Sequence, residues 1–380
     1  MQRIYLDHAA TTPLSKTVFE RMIPYFTEEF GNADSPHAAG RKAVNAVDNA
    51  RDTVASLIGA KANEVYFTSG GTEADNWAVI GGAYAQREKG KGHVIVSSIE
   101  HHAVLYAAEK LEKEGFEVTY LPVNAGGMVE LTALKDAMTP RTGLVAVMAV
   151  NNETGVMQPI KELAELAKEN GALFFADCVQ AAPYLPINVK ELGVDMLSLS
   201  SHKFFGPKGC GVLYIKSGVR VERFVGGGEQ ERGLRGGTTN VPAVVGLAAA
   251  YAENAAAMSA SNEKIALLSA LFWDKISVLG GVSVNGKGEK LPGVLNIRVE
   301  NVNNVDLLYK LDLQGVCVAV GSACASGSID PSHVLIAMGL TEKEARESVR
   351  VSIGKDNTEE EIDKAAEIFV DTVKKLRDFQ

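Results

Sequence analysis

The chain has 380 residues, 46% of them hydrophobic, with 38 basic against 47 acidic side chains and a net charge of −9. That length exceeds one simple core and points to two domains, or one large domain with a smaller companion. No strongly basic stretch supports nucleic-acid binding, and the sparse Cys178, Cys210, Cys317 and Cys324 make neither a disulfide framework nor a CxxC zinc pair. The opening MQRIYLDHAATTP places Asp7 and His8 where a signal peptide would be apolar, and no apolar run approaches the ~18 residues of a membrane helix. The expectation is a soluble, reduced, cytoplasmic protein with no membrane partner.

From about Asn63, short apolar runs alternate with longer helical patterns. VYFTS (Val65 to Ser69) reads as a buried strand, followed by a helix through TEADNWAVIGGAYAQREKG. HVIVSS precedes a helix around AVLYAAEKLEKEG, and VTYLPV, GLVAVMAV, ALFFAD, DMLSLS and GVLYIK continue the series. Strands alternating with helices predict an α/β domain whose mainly parallel sheet is covered on both faces. The pattern changes after about Met258. A helix over NEKIALLSALFWDKISVLG leads into GVSVNG, GVLNIRVE, the helix VDLLYKLDLQG, VCVAVG, VRVSIG and a closing helix TEEEIDKAAEIFVDTVKKLRD, which reads as a smaller α+β domain.

Ligands gather at strand ends in such sheets. TSGGTEADN follows VYF there. Gly70 and Gly71 let backbone approach an anion, and Thr72 either donates a hydroxyl to a phosphate or simply caps the next helix. Asp177 closes the very apolar ALFFAD and needs a partner, which a helix N-terminus, a metal or a cofactor ring nitrogen would supply. In SLSSHKFFGPKGCG, Lys203 follows an apolar strand and precedes a Gly-Pro turn; a Schiff base gives a buried lysine a reason, and Ser200 and His202 could touch a phosphate. Lys208 in GPKG reads as a surface turn. His101 and His102 read either as metal ligands or as one ring-stacking and one exposed histidine. Cys324 in GSACASGS sits among small residues, which suits an accessible nucleophile on a mobile loop or a chance surface thiol. Arg350 in SVRVSIG is either a surface arginine or a fork for a carboxylate.

These stretches occur together and in one order. LDHAATTP, FTSGGTEADN, Glu100-His101, NNETG, DCVQ, SSHKFFGPKG, GGGEQERGLRGGT, GSACASGS and VRVSIG resemble the cysteine desulfurases of the class V aminotransferase group, which are fold-type I pyridoxal-phosphate enzymes. The resemblance runs from Ile4 to the last helix, and the GSAC form is similar to the housekeeping and nitrogenase-type branch. It implies a large cofactor domain over residues 15–258 with a mainly parallel seven-stranded sheet. A small domain would join residues 1–14 to 259–380 and carry the catalytic cysteine loop. It implies that Lys203 holds pyridoxal 5'-phosphate, Asp177 pairs with the ring nitrogen, Gln180 bonds the phenolic oxygen and His101 stacks on the ring. Gly71, Thr72, Ser200 and His202 would hold the phosphate, joined by Thr238 from a second subunit of a homodimer. Asn152 and Arg350 would bind the carboxylate of L-cysteine, and Cys324 would take its sulfur as a persulfide for a sulfur-acceptor protein. No metal is implied. Selenocysteine lyase, an aminotransferase of the same fold and a non-catalytic sulfur-relay subunit are the rival readings; an aminotransferase has no need of Cys324, and a relay subunit has no need of Lys203.

Overall fold

The computed structural model describes residues 3–321 and 330–378. The first strand, β1 (Ile4–Tyr5), precedes the main sheet. That sheet holds β2 (Val65–Thr68), β3 (His93–Ser97), β4 (Glu117–Leu121), β5 (Thr142–Ala146), β6 (Leu173–Asp177), β7 (Met196–Ser200) and β8 (Gly211–Ile215). Its seven strands lie in the order β2-β8-β7-β6-β5-β3-β4. All pairings are parallel except those of β8 with β2 and β7.

Successive side chains on a strand point to opposite faces, so a strand covered on both sides must be apolar throughout. Ile95, Val145, Phe174 and Leu197 pack on one face beneath the helices Ala38–Ile58 and Ile160–Glu169. Their neighbours Val94, Leu144, Phe175 and Met196 pack on the other, with Trp77, Val79, Val104 and Leu111. The Ala38–Ile58 helix buries Ala43, Val47, Ala50 and Val54 at helical spacing and stops at Gly59, which adopts the left-handed φ of 70°. The helix after β2 runs from Gly71 to Arg87 with a π-turn over Trp77–Gly81.

The later strands are β9 (Val282–Val284), β10 (Val294–Val299), β11 (Val316–Cys317) and β12 (Ser348–Ser352). β12, β10 and β9 form an antiparallel sheet, while β1 pairs in parallel with β11. Ile4 and Leu6 therefore share a core with Phe272, Ile297, Val351 and Phe369.

One long helix, Val241–Ile276, joins the two regions and passes residue 258 without a break. The sequence reading began this helix only at Asn262. Its alanine-rich first half shows no apolar stripe, yet Asn240 caps it by accepting the Ala243 N–H and Pro242 fits its first turn. The expectation of no membrane-length apolar run also needs correction. An 18-residue stretch of this helix is apolar enough by length and composition to cross a membrane, with half of it buried against the rest of the chain.

Candidate active site

The C-terminal ends of β2, β3, β6 and β7 open into a cavity of about 380 Å³. At one end lie Gly71, Thr72, Ser200 and His202. A Cβ on Gly71 would stand 2.9 Å from Val179 Cγ2 and 3.3 Å from Ser200 Cβ, so only glycine leaves this cradle open. Glu73 fixes the turn: its Oε2 accepts the Ser69 N–H at 2.8 Å, and Arg235 Nε donates to Oε1 at 2.9 Å. Burial and the Lys203 ammonium push His202 down to about 4, so the ring is neutral near pH 7; its Nδ1 lies 3.1 Å from Thr11 Oγ1.

Lys203 ends a short 3₁₀ turn after β7. Its Nζ donates to the carbonyls of Ala9 at 2.5 Å and Ala10 at 2.9 Å. Thr12 secures that turn, donating from N and Oγ1 to the His202 carbonyl and accepting the Phe205 N–H. Gln180 Nε2 donates to the Ala9 carbonyl at 2.8 Å. The N-terminal segment thus reaches across from β1 and organises the lysine.

Asp177 is 5% exposed at the end of β6. Burial raises its carboxyl above the usual range, opposed by the Val179 N–H on Oδ1 at 2.8 Å and by the charge of Lys203. A cationic ring nitrogen is the kind of partner that would repay such burial. His101 starts the His102–Lys113 helix, its Nδ1 accepting the Ala103 N–H at 3.1 Å. Burial first, then Lys203, pushes His101 down to about 4. His102 turns away and stacks on Tyr106, with ring centroids 5.1 Å apart, and also faces His333.

Arg350, on β12, is 1% exposed, so the surface-arginine reading is excluded. Its Nη2 meets Asp7 Oδ1 at 2.7 Å, its Nη1 donates to the Asn152 carbonyl at 3.0 Å, and its Nε is buried without a partner. Both Arg350 and Asn152 line the cavity.

Lys208 lies in the exposed turn that was expected, and that turn also borders the cavity together with Gly209. Thr238 is exposed and does not line the cavity of its own chain. Cys324 lies outside the described residues. Where the described chain resumes, Ser332 Oγ donates to Glu153 Oε2 at 2.5 Å and His333 Nε2 lies 3.0 Å from the Glu100 carbonyl, both beside the site. Sequence reasoning missed Asp7, Glu73 and Asp75. Nothing local distinguishes Glu73 or Asp75 from an exposed helix acid, and Asp7 meets Arg350 only through the fold.

A lysine, a buried carboxylate, a glycine cradle and a carboxylate-binding arginine suit an aldehyde that carries both a basic ring nitrogen and a phosphate. The aminotransferase class-V family model matches residues 4–365. The cysteine desulfurase IscS of Methanosarcina thermophila is 46% identical over 375 residues, covering 98% of this chain and 93% of that protein. A solved NifS-like protein superposes with a TM-score of 0.93 at 35% identity, over 99% of this chain and 100% of its own. SspA, solved in complex with cysteine, gives a TM-score of 0.83 at 37% identity, over 93% and 99%.

Proposed function

The chain belongs to the aminotransferase class-V family and, within it, to the cysteine desulfurases, and we propose that it converts L-cysteine to L-alanine and passes the sulfur to Cys324. The observation that carries this reading is the convergence of Lys203, Asp177 and Arg350 on one cavity. Enzymes of this family depend on pyridoxal phosphate, and the residues present fit it. Lys203 would hold its aldehyde carbon, Asp177 its ring nitrogen, Gln180 its phenolic oxygen and His101 its ring. The cradle of Gly71, Thr72, Ser200 and His202 would hold its phosphate. The bound group supplies an electron sink next to the substrate α-carbon.

Arg350 binds the substrate carboxylate through the donors that Asp7 and Asn152 leave available, and Asn152 flanks it. Lys203, released as a free amine, takes the α-proton and returns it during turnover, so it must spend part of each cycle uncharged. His101 and His202 are neutral near pH 7 and place no competing charge beside it. Cys324 attacks the substrate sulfur as a thiolate. A sulfur–sulfur bond forms, the sulfur–carbon bond breaks with its electron pair going to carbon, and a proton at that carbon completes alanine. The persulfide then passes to an acceptor protein whose chemistry is nucleophilic at sulfur.

Phe19, Ile23, Phe26 and Phe30 are 49%, 41%, 59% and 73% exposed along one N-terminal stretch. Such a patch supports a homodimer, in which Thr238 would serve the other subunit's phosphate. Cys178, Cys210 and Cys317 are free thiols, in keeping with a cytoplasmic enzyme. The test is to incubate purified protein with pyridoxal phosphate, L-cysteine and a thiol reductant that releases the persulfide sulfur as sulfide. Wild type should acquire the visible band of the bound cofactor and release alanine and sulfide, and Lys203→Ala should lose the covalent attachment on borohydride reduction. Protein that binds no cofactor would overturn the reading.

A further inference from the structure

In the lining of the same cavity a second carboxyl reaches the first through a hydroxyl. Asp75, on the helix that follows β2, is 2% exposed, and its Oδ1 lies 2.6 Å from Ser198 Oγ. The same Oγ lies 3.5 Å from Asp177 Oδ1. One serine on β7 thus stands between carboxyls from a helix and from β6. A hydroxyl has a single proton to give, so it cannot satisfy two carboxylates at once. Two anions held this close and away from water repel strongly enough that one keeps a proton. The surroundings decide which. Asp177 accepts the Val179 N–H and feels the Lys203 ammonium. The titratable groups that act on Asp75 are the carboxyls of Asp177 and Glu100, and neither is a cation.

We propose that Asp75 is a positioning residue: its carboxyl stays protonated and hydrogen-bonds Ser198 Oγ, which turns the serine proton toward Asp177 and fixes that carboxylate for the cofactor ring nitrogen. The inference rests on Asp177 meeting that nitrogen. Burial, with Asp177 as the next cause, raises Asp75 well above the ordinary carboxyl range, in keeping with the geometry. Glu100, pushed up to about 8 by burial, is also neutral near pH 7, and burial pushes up the Cys178 thiol, so neither adds charge beside the pair at that pH. Lys203 is the cation on the far side of Asp177.

The test uses holoenzyme and two readouts besides turnover: the infrared carbonyl band of a buried protonated carboxyl, and the pH titration of the bound cofactor's visible spectrum. Asp75→Asn keeps a neutral donor of the same shape. It should remove one carbonyl band while leaving the spectral titration and cofactor affinity within about twofold of wild type. Asp75→Ala and Ser198→Ala should each weaken cofactor affinity about tenfold or more, the effect of losing one hydrogen bond to a charged group, and shift the titration. If Asp75→Asn shifts the titration as far as Asp75→Ala does, Asp75 is an anion and the proposal fails. If Asp75→Ala leaves both readouts at wild type, it positions nothing and the proposal fails equally. An Asp177→Asn spectrum unchanged from wild type would instead sink the underlying placement of Asp177 at the ring nitrogen, a distinct result.

Discussion

Replacing Arg350 with lysine separates carboxylate recognition from the rest of the site. Arg350 already gives Nη2 to Asp7 at 2.7 Å and Nη1 to the Asn152 carbonyl at 3.0 Å, and it is 1% exposed. Its fork of five N–H donors can serve these two and still meet a substrate carboxylate, whereas a lysine ammonium offers three donors from one point. Arg350→Lys keeps the charge opposite Asp7 but loses one or two charge-assisted hydrogen bonds to substrate. At about 1.5 kcal/mol or more each, cysteine binding should weaken roughly 10- to 100-fold. The assay is the cysteine concentration dependence of the cofactor spectral change, run beside competition by cysteamine, which has the amine and thiol but no carboxylate. Cysteine should weaken while cysteamine holds its affinity. Unchanged cysteine binding, or equal weakening of both ligands, would refute the role given to Arg350.

The remaining predictions concern fold and cofactor cradle. Arg51 and Glu231 form a buried two-pronged pair at 2.7 and 2.8 Å, so Arg51→Ala should cost about 3–5 kcal/mol by leaving a buried carboxylate unpaired. Urea unfolding measures that loss, and a change below about 1 kcal/mol would contradict the pairing as a structural element. Gly71→Ala inserts a methyl 2.9 Å from Val179 Cγ2, and an overpacking cost of about 1–3 kcal/mol should appear as weaker cofactor affinity, read by titrating apoprotein. Glu100 has a folded value raised to about 8 by burial, against an ordinary 4.5. Its stability contribution is complete below pH 4.5 and is lost as pH rises through 8. Glu100→Gln should therefore be more stable than wild type at pH 8, with the gap closing toward pH 4.5, as thermal melts of the apoprotein would show.

The main sheet was legible because strands buried on both faces must be continuous apolar runs, as HVIVS and LFFAD are. Lys203 and Asp177 were legible for a related reason, since an ionisable group closing such a run demands a partner. Arg350 stood as an open alternative until its neighbours were known, because alternation on a strand does not say which face is buried. The early half of the Val241–Ile276 helix was lost since alanine on every face leaves no stripe to read. Lys208 does sit in an exposed turn, but its place at the cavity rim was not legible, because Gly-Pro-Lys-Gly is turn chemistry whether the turn faces bulk water or a cavity. Asp7 and Asp75 depend on contacts with residues 343 and 123 positions away, which no local pattern encodes.

The most direct test of the central claim is a single turnover. Protein loaded with pyridoxal phosphate is mixed with less than one equivalent of L-cysteine and no reductant, then quenched, digested and examined by mass spectrometry alongside an alanine assay. The account predicts alanine equal to the cysteine consumed and the peptide containing Cys324 heavier by one sulfur atom, with both signals lost in Cys324→Ser while the cofactor band remains. Alanine formed at the wild-type rate by Cys324→Ser, or sulfur found on Cys178, Cys210 or Cys317 instead, would contradict it.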